Sequence, residues 1–390
     1  MTHSMRPGVY PHLSNAEYHG GPGTSKSGLD LIHKSAELFA YAKSLDAPER
    51  VSTPAQVFGT AYHAIVLEPE KFYQTYTHGI SMEDAPHAID DRDVLVAMVQ
   101  RLNKGRLPKL SASGSKEEVI KRILLAYAEQ GEEVTDATPA ALAQLKGAEL
   151  KAEIERLNAS RDGLLSVSGS RHDLADTLRA NGVAVTLWSD VKAEWDRNNA
   201  HRSVISNKDW DTLHAMRDKL MQHPAARKLL RRPGRAEMSF YAVDMETGEL
   251  LRCRPDYYTD CGFCLDLKTT SDASRSGFVY SVQSFRYDVQ DPFYIDTITA
   301  AIDQAGLDIA KPRGFFFIAQ EKEPPYSVGV YSLDLEDVEI GRMEYRADLR
   351  KLARCRATDT WGGYGDGVQS LSLKAWHRQE AAVAASEAMQ

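Results

Sequence analysis

The stretch that decides the fold is Arg254-Pro-Asp256, followed ten residues later by Asp266-Leu-Lys268-Thr-Thr. Each acidic residue ends a short run of β-forming residues, and the turn-prone sequence Thr-Asp-Cys-Gly separates the two runs. A hairpin would place Asp256 beside Asp266 at one sheet edge, with Lys268 on the same face as Asp266. Two carboxylates this close repel each other unless a divalent cation lies between them, and a nearby lysine can stabilise negative charge. The pattern therefore indicates metal-dependent cleavage of a phosphodiester bond.

The composition limits the class of protein only broadly. The chain has 390 residues, 43% hydrophobic and 26% charged, which is ordinary for a globular protein of two or three domains. No apolar run approaches the ~20 residues of a membrane-spanning helix, and the N-terminus lacks the apolar segment of a signal peptide. Four cysteines do not make a disulfide framework. We therefore expect a cytoplasmic protein that makes no membrane contact.

The charge distribution allows a local basic groove. The net charge of −8 argues against a protein coated in positive charge for non-specific nucleic-acid binding. The segment from Arg227 to Arg235 nevertheless has five basic residues in nine positions, just before the run that leads into the hairpin. Arg231 and Arg232 are its candidates for contact with DNA phosphates. A solvated helix end is the alternative interpretation.

Four segments follow from the patterning along the chain. Residues 1–85 and 191–377 mix helical and strand-like runs and are predicted to form one α/β (α+β) domain. Residues 86–190 are rich in Ala, Leu, Lys and Glu and are predicted to form an all-α insertion. Residues 378–390 are predicted to be a flexible tail.

The insertion contains an internal repeat, at residues 94–130 and 148–183. Arg101-Leu-Asn recurs as Arg156-Leu-Asn, and Leu110-Ser-Ala-Ser-Gly-Ser recurs as Leu165-Ser-Val-Ser-Gly-Ser, both with an offset of 55 residues. Each copy predicts a helix, a loop and a Ser-Gly-Ser entry into a second helix.

The repeat resembles the SAP, or helix-extension-helix, family of small DNA-binding modules. In that family the loop carries a Leu-x-x-Ser-Gly-x-Lys/Arg pattern, which both copies fit. The resemblance implies that Lys116 and Arg171, which begin the second helices, contact the DNA backbone together with the helix N-termini. A helical insertion that serves only oligomer contacts is the alternative.

Further polar residues lie outside the hairpin. Glu237 begins the run that leads into it, and His63 lies on a predicted helix near the N-terminus. Gln290 and Tyr294 are four residues apart and so share one face of a predicted helix. Taken singly, each has an ordinary structural explanation, such as a core histidine or a polar stripe on a helix.

Together these residues resemble the PD-(D/E)xK nuclease superfamily in its RecB-like branch. That branch has a histidine on an early helix, a first aspartate, Asp-x-Lys on the next strand and a Gln-x-x-x-Tyr helix. Longer stretches in the same order resemble the nuclease domain of RecE-type exonucleases (exonuclease VIII), over about 1–80 and 200–377 but not over the repeats. These stretches are Gly8-Val-Tyr, Ser14-Asn-Ala-Glu-Tyr-His19, Gly21-Pro-Gly-Thr-Ser-Lys-Ser27, Leu67-Glu-Pro-Glu70, Cys253-Arg-Pro-Asp256, Asp266-Leu-Lys-Thr-Thr270 and Tyr287-Asp-Val-Gln-Asp-Pro-Phe-Tyr294.

The resemblance implies a fold, an activity and partners. The fold would be a restriction-endonuclease-like core, a mixed sheet flanked by helices. The activity would be a Mg²⁺-dependent, or Mn²⁺-dependent, 5′→3′ exonuclease on double-stranded DNA ends. It would leave 3′ overhangs for a single-strand annealing protein of the RecT type, in phage or prophage recombination and repair, and the chain would form a homo-oligomeric ring. A structure-specific endonuclease and a nuclease-inactive DNA-binding protein are the alternatives.

The resemblance also implies roles for residues. Asp256, Asp266, the carbonyl of Leu267 and His63 would hold the metal, with Glu237 as a further ligand or water-positioning group. The other implied roles are water activation by Lys268, strand positioning by Gln290 and Tyr294, phosphate contacts by Arg254, Thr269 and Thr270, and capture of a terminal phosphate by Ser25, Lys26 and Ser27.

Overall fold

The computed structural model describes residues 5–44, 53–372 and 379, so nearly all of the predicted tail, 378–390, lies outside the described residues. The chain divides into two compact units. Unit 1 comprises Met1–Tyr76 and Ile205–Gln390, and unit 2 comprises Thr77–Val204. The insertion is therefore wider at both ends than the predicted 86–190. Within the described ranges, no helix is long and apolar enough to cross a membrane.

The described residues contain the following helices and strands. In chain order the helices are α1 Asn15–Gly20, α2 Lys26–Lys34, α3 Ala36–Lys43, α4 Pro54–Leu67, α5 Pro69–Thr75, α6 Arg92–Asn103, α7 Lys116–Gln130, α8 Thr138–Gln144, α9 Gly147–Ala159, α10 Arg171–Ala180, α11 Trp188–Asn199, α12 Asn207–Gln222, α13 Pro224–Leu230, α14 Arg275–Phe285, α15 Tyr287–Ala305 and α16 Leu335–Thr358. The strands are β1 Gly8–Tyr10, β2 Tyr76–His78, β3 Ala88–Ile89, β4 Thr186–Leu187, β5 Ser203–Ile205, β6 Gly234–Ala236, β7 Ser239–Val243, β8 Leu250–Cys253, β9 Tyr257–Thr259, β10 Phe263–Thr270, β11 Gly314–Glu321 and β12 Val328–Tyr331.

The described part of unit 1 contains a larger and a smaller sheet, and between β6 and β9 the chain crosses from one to the other twice. The larger sheet has the order β12-β11-β10-β9-β6, in which β10 and β11 are parallel and the other neighbours antiparallel. The smaller sheet has the order β1-β7-β8 and is antiparallel. The predicted hairpin is present as β9 and β10, with Tyr257 opposite Leu265, and this register continues to Asp256 beside Asp266. This mixed sheet with flanking helices confirms the predicted α+β, PD-(D/E)xK-like fold.

The β-forming runs at 234–243 and 250–259 are each broken into two strands, and the two breaks are adjacent. The first run changes sheets between β6 and β7, at Glu237, which has a left-handed backbone (φ 54°). The second changes sheets between β8 and β9, at Arg254-Pro-Asp256. Proline has no N–H to give to a ladder, so Pro255 favours the break. The Glu237 N–H donates to the Asp256 carbonyl at 3.0 Å, which ties the two breaks together.

Strand β10 is covered on both faces, and this alternation positions its functional side chains. Leu267 packs with Ile318 into a cluster formed with α4 and α12. Cys264 belongs to the other cluster, which includes Val289 and Phe293 of α15. Since side chains alternate along a strand, Asp266 and Lys268 point to the α15 side. The carboxylate and the ammonium group are therefore held against a buried helix.

Unit 2 folds as two lobes, but the lobes are not the two sequence repeats. One lobe packs α6 of the first repeat on α10 of the second, with Leu95, Val99 and Leu174 in its core. The other packs α7 of the first repeat on α9 of the second. Each repeat, at 94–130 and at 148–183, therefore gives one helix to each lobe, and neither packs as a unit of its own.

Hydrogen bonds between the repeats are reciprocal. The Asn103 side chain bonds both backbone groups of Leu165, at 2.8 and 3.0 Å, and Asn158 does the same with Leu110. Arg106 donates to the Gly163 carbonyl at 2.6 Å, while Arg161 donates to the carbonyl of Pro108. Both reciprocal pairings conserve the offset of 55, so the repeats are related by an approximate internal two-fold exchange.

Candidate active site

The paired carboxylates lie where the sequence predicted them. Asp256 Oδ2 accepts a hydrogen bond of 2.6 Å from the backbone N–H of Leu267, which fixes the carboxylate across the hairpin. Burial and, next, the charge of Asp266 raise the pKa of Asp256 well above its ordinary value. The raised pKa shows that two ionised carboxylates are unfavourable here without a cation.

Lys268 and Gln290 hold the carboxylate of Asp266. Lys268 Nζ lies 2.6 Å from Asp266 Oδ2, and Gln290 Nε2 donates to Oδ1 at 2.7 Å. Burial alone would lower the pKa of Lys268, but the adjacent Asp266 and Tyr287 raise it above its ordinary value. Lys268 is therefore a fixed cation, suited to bind a phosphate oxygen or orient a water.

His63, Glu237 and Asp256 form a third group. One ligand atom from each lies within 4.8 Å of the others. His63 Nδ1 is 3.4 Å from Asp256 Oδ1, and Nε2 is 3.0 Å from the Leu267 carbonyl oxygen. Burial lowers the pKa of His63, which favours the neutral imidazole that ligates metals.

The sheet change at Glu237 brings its carboxylate into this group. Burial and, next, the charge of Asp256 raise the pKa of Glu237 to about 7. The guanidinium of Arg254 lies 3.7 Å from Glu237 Oε2 and offsets only part of this repulsion. A divalent cation would relieve the repulsion within the pair.

The donor set fits a hard divalent cation. Carboxylate oxygens of Asp256 and Glu237 lie with one imidazole nitrogen in a single group, and oxygen donors of this kind suit Mg²⁺ or Mn²⁺. Of the four predicted ligands, the structure groups His63 with Asp256, and it places the Leu267 carbonyl oxygen against His63 Nε2. Asp266 is engaged by Lys268 and Gln290. Glu237, predicted as a further ligand or water-positioning group, lies in the group with His63 and Asp256.

Tyr294 lies one turn after Gln290 on α15, as predicted. Its ring packs edge-on against Phe315, with 5.8 Å between ring centroids. Burial raises the pKa of Tyr294 well above its ordinary value, and the charges of Asp266 and Asp256 add to the effect. Its hydroxyl is therefore neutral.

Arg254 is buried, unlike a residue that contacts DNA from the surface. Its guanidinium donates to Ser239 Oγ and Asn15 Oδ1, both at 2.7 Å, and to the Leu13 carbonyl at 2.8 Å. It also lies 4.1 Å from the centroid of the Tyr18 ring. Arg254 thus joins the N-terminal loop to the sheet change, and its phosphate contact stays a prediction.

The predicted phosphate contacts near the N-terminus lie beside the site. Lys26 Nζ donates to Asp30 Oδ2 at 2.8 Å and to the Phe285 carbonyl, and it lies 5.9 Å from the ring centroid of Tyr287. Ser25 and Ser27 bond each other through their hydroxyls at 2.9 Å.

The other predicted DNA contacts are more scattered. Thr270 shares a face with Lys268, but its hydroxyl donates to the Asp272 carbonyl, while Thr269 points to the opposite face. Arg231 is exposed, and Arg232 lies over Phe263 at the turn end of β10, with 5.1 Å from its guanidinium carbon to the ring centroid.

In unit 2, the two predicted cations bond within the unit. Lys116 Nζ donates to the Ala143 carbonyl at 2.6 Å, and Arg171 donates to the carbonyl of Asp90 at 2.7 Å and to its side chain.

Sequence reasoning gave no role to Tyr287, although it stands in a quoted motif. Its ring centroid lies 4.4 Å from Lys268 Nζ. The spacing of three residues from Gln290 places both on one helical face and is the signal that could have found it.

The fold and the site define a PD-(D/E)xK-like core in which His63 is supplied by an early helix. Residues 189–374 match the model of a family described as "PDDEXK-like domain of unknown function (DUF3799)". The match supports the PD-(D/E)xK nuclease superfamily and spans every predicted catalytic residue, while His63 and the Ser25–Ser27 segment lie outside it. Among curated proteins, none matches the chain.

A solved structure is also similar to part of the chain. It is described as a "putative exonuclease" from Eubacterium rectale, with 12% sequence identity and a TM-score of 0.33. The similarity covers 57% of this chain and 82% of that one. A similarity of this degree carries no argument about function.

Proposed function

We propose that this protein is a Mg²⁺-dependent 5′→3′ exonuclease that digests double-stranded DNA from its ends and leaves 3′ overhangs. The observation that carries the proposal is the pairing of Lys268 with Asp266 at 2.6 Å on β10. Asp256 immediately precedes the neighbouring strand, β9, and belongs to the group with His63 and Glu237. A fixed cation beside a hard-metal donor set is an arrangement suited to phosphodiester hydrolysis. The polarity and the end-dependence rest on the resemblance to RecE-type exonucleases.

The residues have distinct tasks in the proposed reaction, in which water attacks phosphorus and the opposite P–O bond breaks. Asp256, Glu237, His63 and the Leu267 carbonyl would hold the metal, which lowers the pKa of bound water and neutralises phosphate charge. Lys268 would donate to the phosphate or orient the attacking water. Two further groups position these residues: Gln290 fixes Asp266, and Asp266 fixes Lys268.

The test is Mg²⁺-dependent digestion of a linear duplex with one labelled 5′ end, run beside a covalently closed circle. We expect early release of the 5′ label and an intact circle. A cut circle would instead make the protein an endonuclease of the same superfamily. DNA binding without cleavage of either substrate would contradict any nuclease function.

The proposed partners follow from the same resemblance. We propose a homo-oligomeric ring around the duplex and an annealing protein of the RecT type that takes up the 3′ strand. Sedimentation of the protein with and without duplex tests the ring. A monomer that digests long duplexes processively would contradict it.

We propose that unit 2 assists DNA loading through its two Ser-Gly-Ser loops, which begin α7 and α10. In both, a serine capping box satisfies the N–H groups of the capping serine and of the third helical residue, with Ser115 and Glu118 in one and Ser170 and Asp173 in the other. Deleting residues 88–185 should leave cleavage of short DNA intact and weaken processivity on long DNA. Unchanged binding and processivity would contradict the proposal and favour the oligomer-contact alternative.

A further inference from the structure

Three aromatic rings stack in a column beside the catalytic lysine. Phe285 stacks on Tyr287, with ring centroids 5.6 Å apart and planes inclined by 25°. Tyr287 in turn stacks on Phe317, at 5.6 Å and 24°. Phe317 is fully buried on β11, so the column runs from the core of unit 1 to its surface.

The column touches the proposed chemistry at its middle ring. Lys268 Nζ lies 4.4 Å from the ring centroid of Tyr287, and Lys26 Nζ lies 5.9 Å from it. Lys26 also donates to the backbone carbonyl of Phe285. Two cations therefore stand beside the middle ring of the column, which stacks directly on Phe285.

The outermost ring is exposed but held in place. Phe285 has 60% of its surface accessible, although it is a large apolar side chain. The next residue, Arg286, has a left-handed backbone (φ 52°) at the junction of α14 and α15. Its guanidinium pairs with Asp30, Glu344 and Asp348 at 3.2, 3.1 and 2.8 Å. These ion pairs fix the junction, so Phe285 presents its ring without a large cost in backbone entropy on binding.

We propose that Phe285 is the platform on which a nucleobase stacks while the adjoining phosphate lies at Lys268. This inference rests on the proposed function and names the part of the substrate that the site holds. A base would add a fourth ring to the column, and stacking accepts every base because each has a π-face. Phe285 would then be a positioning residue that sets which phosphate reaches the metal group, without selecting sequence.

The first experiment combines a base deletion with a side-chain deletion. Duplexes carry one abasic residue at successive positions from the digested end, and single-turnover cleavage is measured for wild type, Phe285→Ala, Phe285→Trp and the control Tyr41→Ala. Tyr41 is an aromatic of similar exposure, 53%, on α3.

We expect the wild type to slow about tenfold or more when the abasic residue reaches the stacking position. Phe285→Ala should show the same loss on intact DNA and no further loss on abasic DNA, and Phe285→Trp should restore the rate. Tyr41→Ala should match the wild type. A Phe285→Ala variant as fast as wild type, or one that keeps the abasic penalty, would overturn the proposal.

A second measurement needs no cleavage. In the Asp266→Asn background, a 2-aminopurine at the same position should lose fluorescence on binding, and adding Phe285→Ala should remove that quenching. If the wild type does not cut DNA but the quenching still depends on Phe285, the platform is supported and only the exonuclease function is overturned. Cleavage without any dependence on Phe285 would overturn only the platform, and absence of DNA binding would overturn both.

Discussion

The backbone N–H of Glu237 donates to the carbonyl of Asp256 at 3.0 Å, and this one bond joins the two places where the chain changes sheets. Both residues also give side-chain ligand atoms to the group completed by His63. The irregular backbone and the candidate metal site are thus the same feature. In an unbroken strand the Glu237 side chain would instead follow the regular alternation between the two faces of one sheet.

Removing the charge of Asp266 should abolish cleavage and leave the fold intact. Asp266→Asn keeps the shape of the side chain but removes the partner of Lys268, so we expect at least a 100-fold loss of rate. Lys268→Ala should do the same. Cleavage of labelled linear duplex gives the rate, and circular dichroism checks the fold. The controls are Asp308→Asn and Lys322→Ala, since both residues are exposed. A wild-type rate in Asp266→Asn or Lys268→Ala would refute the role given to that residue.

Divalent cations should raise the melting temperature of the protein. Asp256 and Glu237 repel each other in the folded state, and a cation bound between them stabilises that state by mass action. Thermal unfolding is compared in Mg²⁺, Mn²⁺ and Na⁺ at equal ionic strength, with Asp256→Asn as the matched variant. An equal shift in wild type and variant would show that the cation binds elsewhere.

Replacing Arg254 should cost stability before it costs DNA affinity. Its three side-chain hydrogen bonds are buried, and truncation to Ala leaves Ser239, Asn15 and the Leu13 carbonyl without this partner. We expect a loss on the order of 3 kcal/mol in the free energy of unfolding, measured by urea titration. The salt dependence of DNA binding, measured below the unfolding transition, should stay unchanged. If the slope of log binding constant against log salt concentration is instead smaller by about one, and stability is unchanged, Arg254 contacts a phosphate.

Asp291 should make the protein less stable as pH rises towards neutrality. Burial raises the pKa of this α15 carboxyl to about 7, although Arg342 opposes the shift. Between its unfolded pKa, about 4, and 7 the native state binds more protons than the unfolded state, so stability falls with rising pH.

The matched variant for this prediction is Asp291→Asn, which stays neutral at every pH. Relative to wild type it should gain stability at pH 8, on the order of 4 kcal/mol at most, and the gain should vanish towards pH 4. Urea unfolding at both pH values measures this difference. A gain that does not change with pH would mean that Asp291 titrates normally.

The exchange of helices in unit 2 predicts which parts unfold together. Leu174 of the second repeat shares a core with α6 of the first, so Leu174→Ala should expose α6 to hydrogen exchange and leave α9 protected. Val119→Ala, one offset earlier, should expose α9 and spare α6. Exchange confined to the mutated repeat in both variants would show that the repeats fold separately.

The sequence alone determined the hairpin, the pairing of Asp256 with Asp266 and the position of Lys268, because strand alternation and turn residues act over a few neighbouring positions. It also located the repeats, since the offset of 55 is visible in the letters. Their exchanged pairing was not visible, because Asn103 can bond the loop of either copy and only packing selects Leu165.

The tertiary structure alone decided which side chains meet. The family resemblance had listed Glu237 as a candidate ligand, but its position beside His63 and Asp256 depends on a left-handed backbone that local sequence patterns do not predict for glutamate. Arg254 became an internal tie because the N-terminal loop supplies distant acceptors, and Phe285 became the end of a stacked column because Phe317 lies behind it on another strand. These contacts join positions far apart in the chain, where local patterns carry no information about distance.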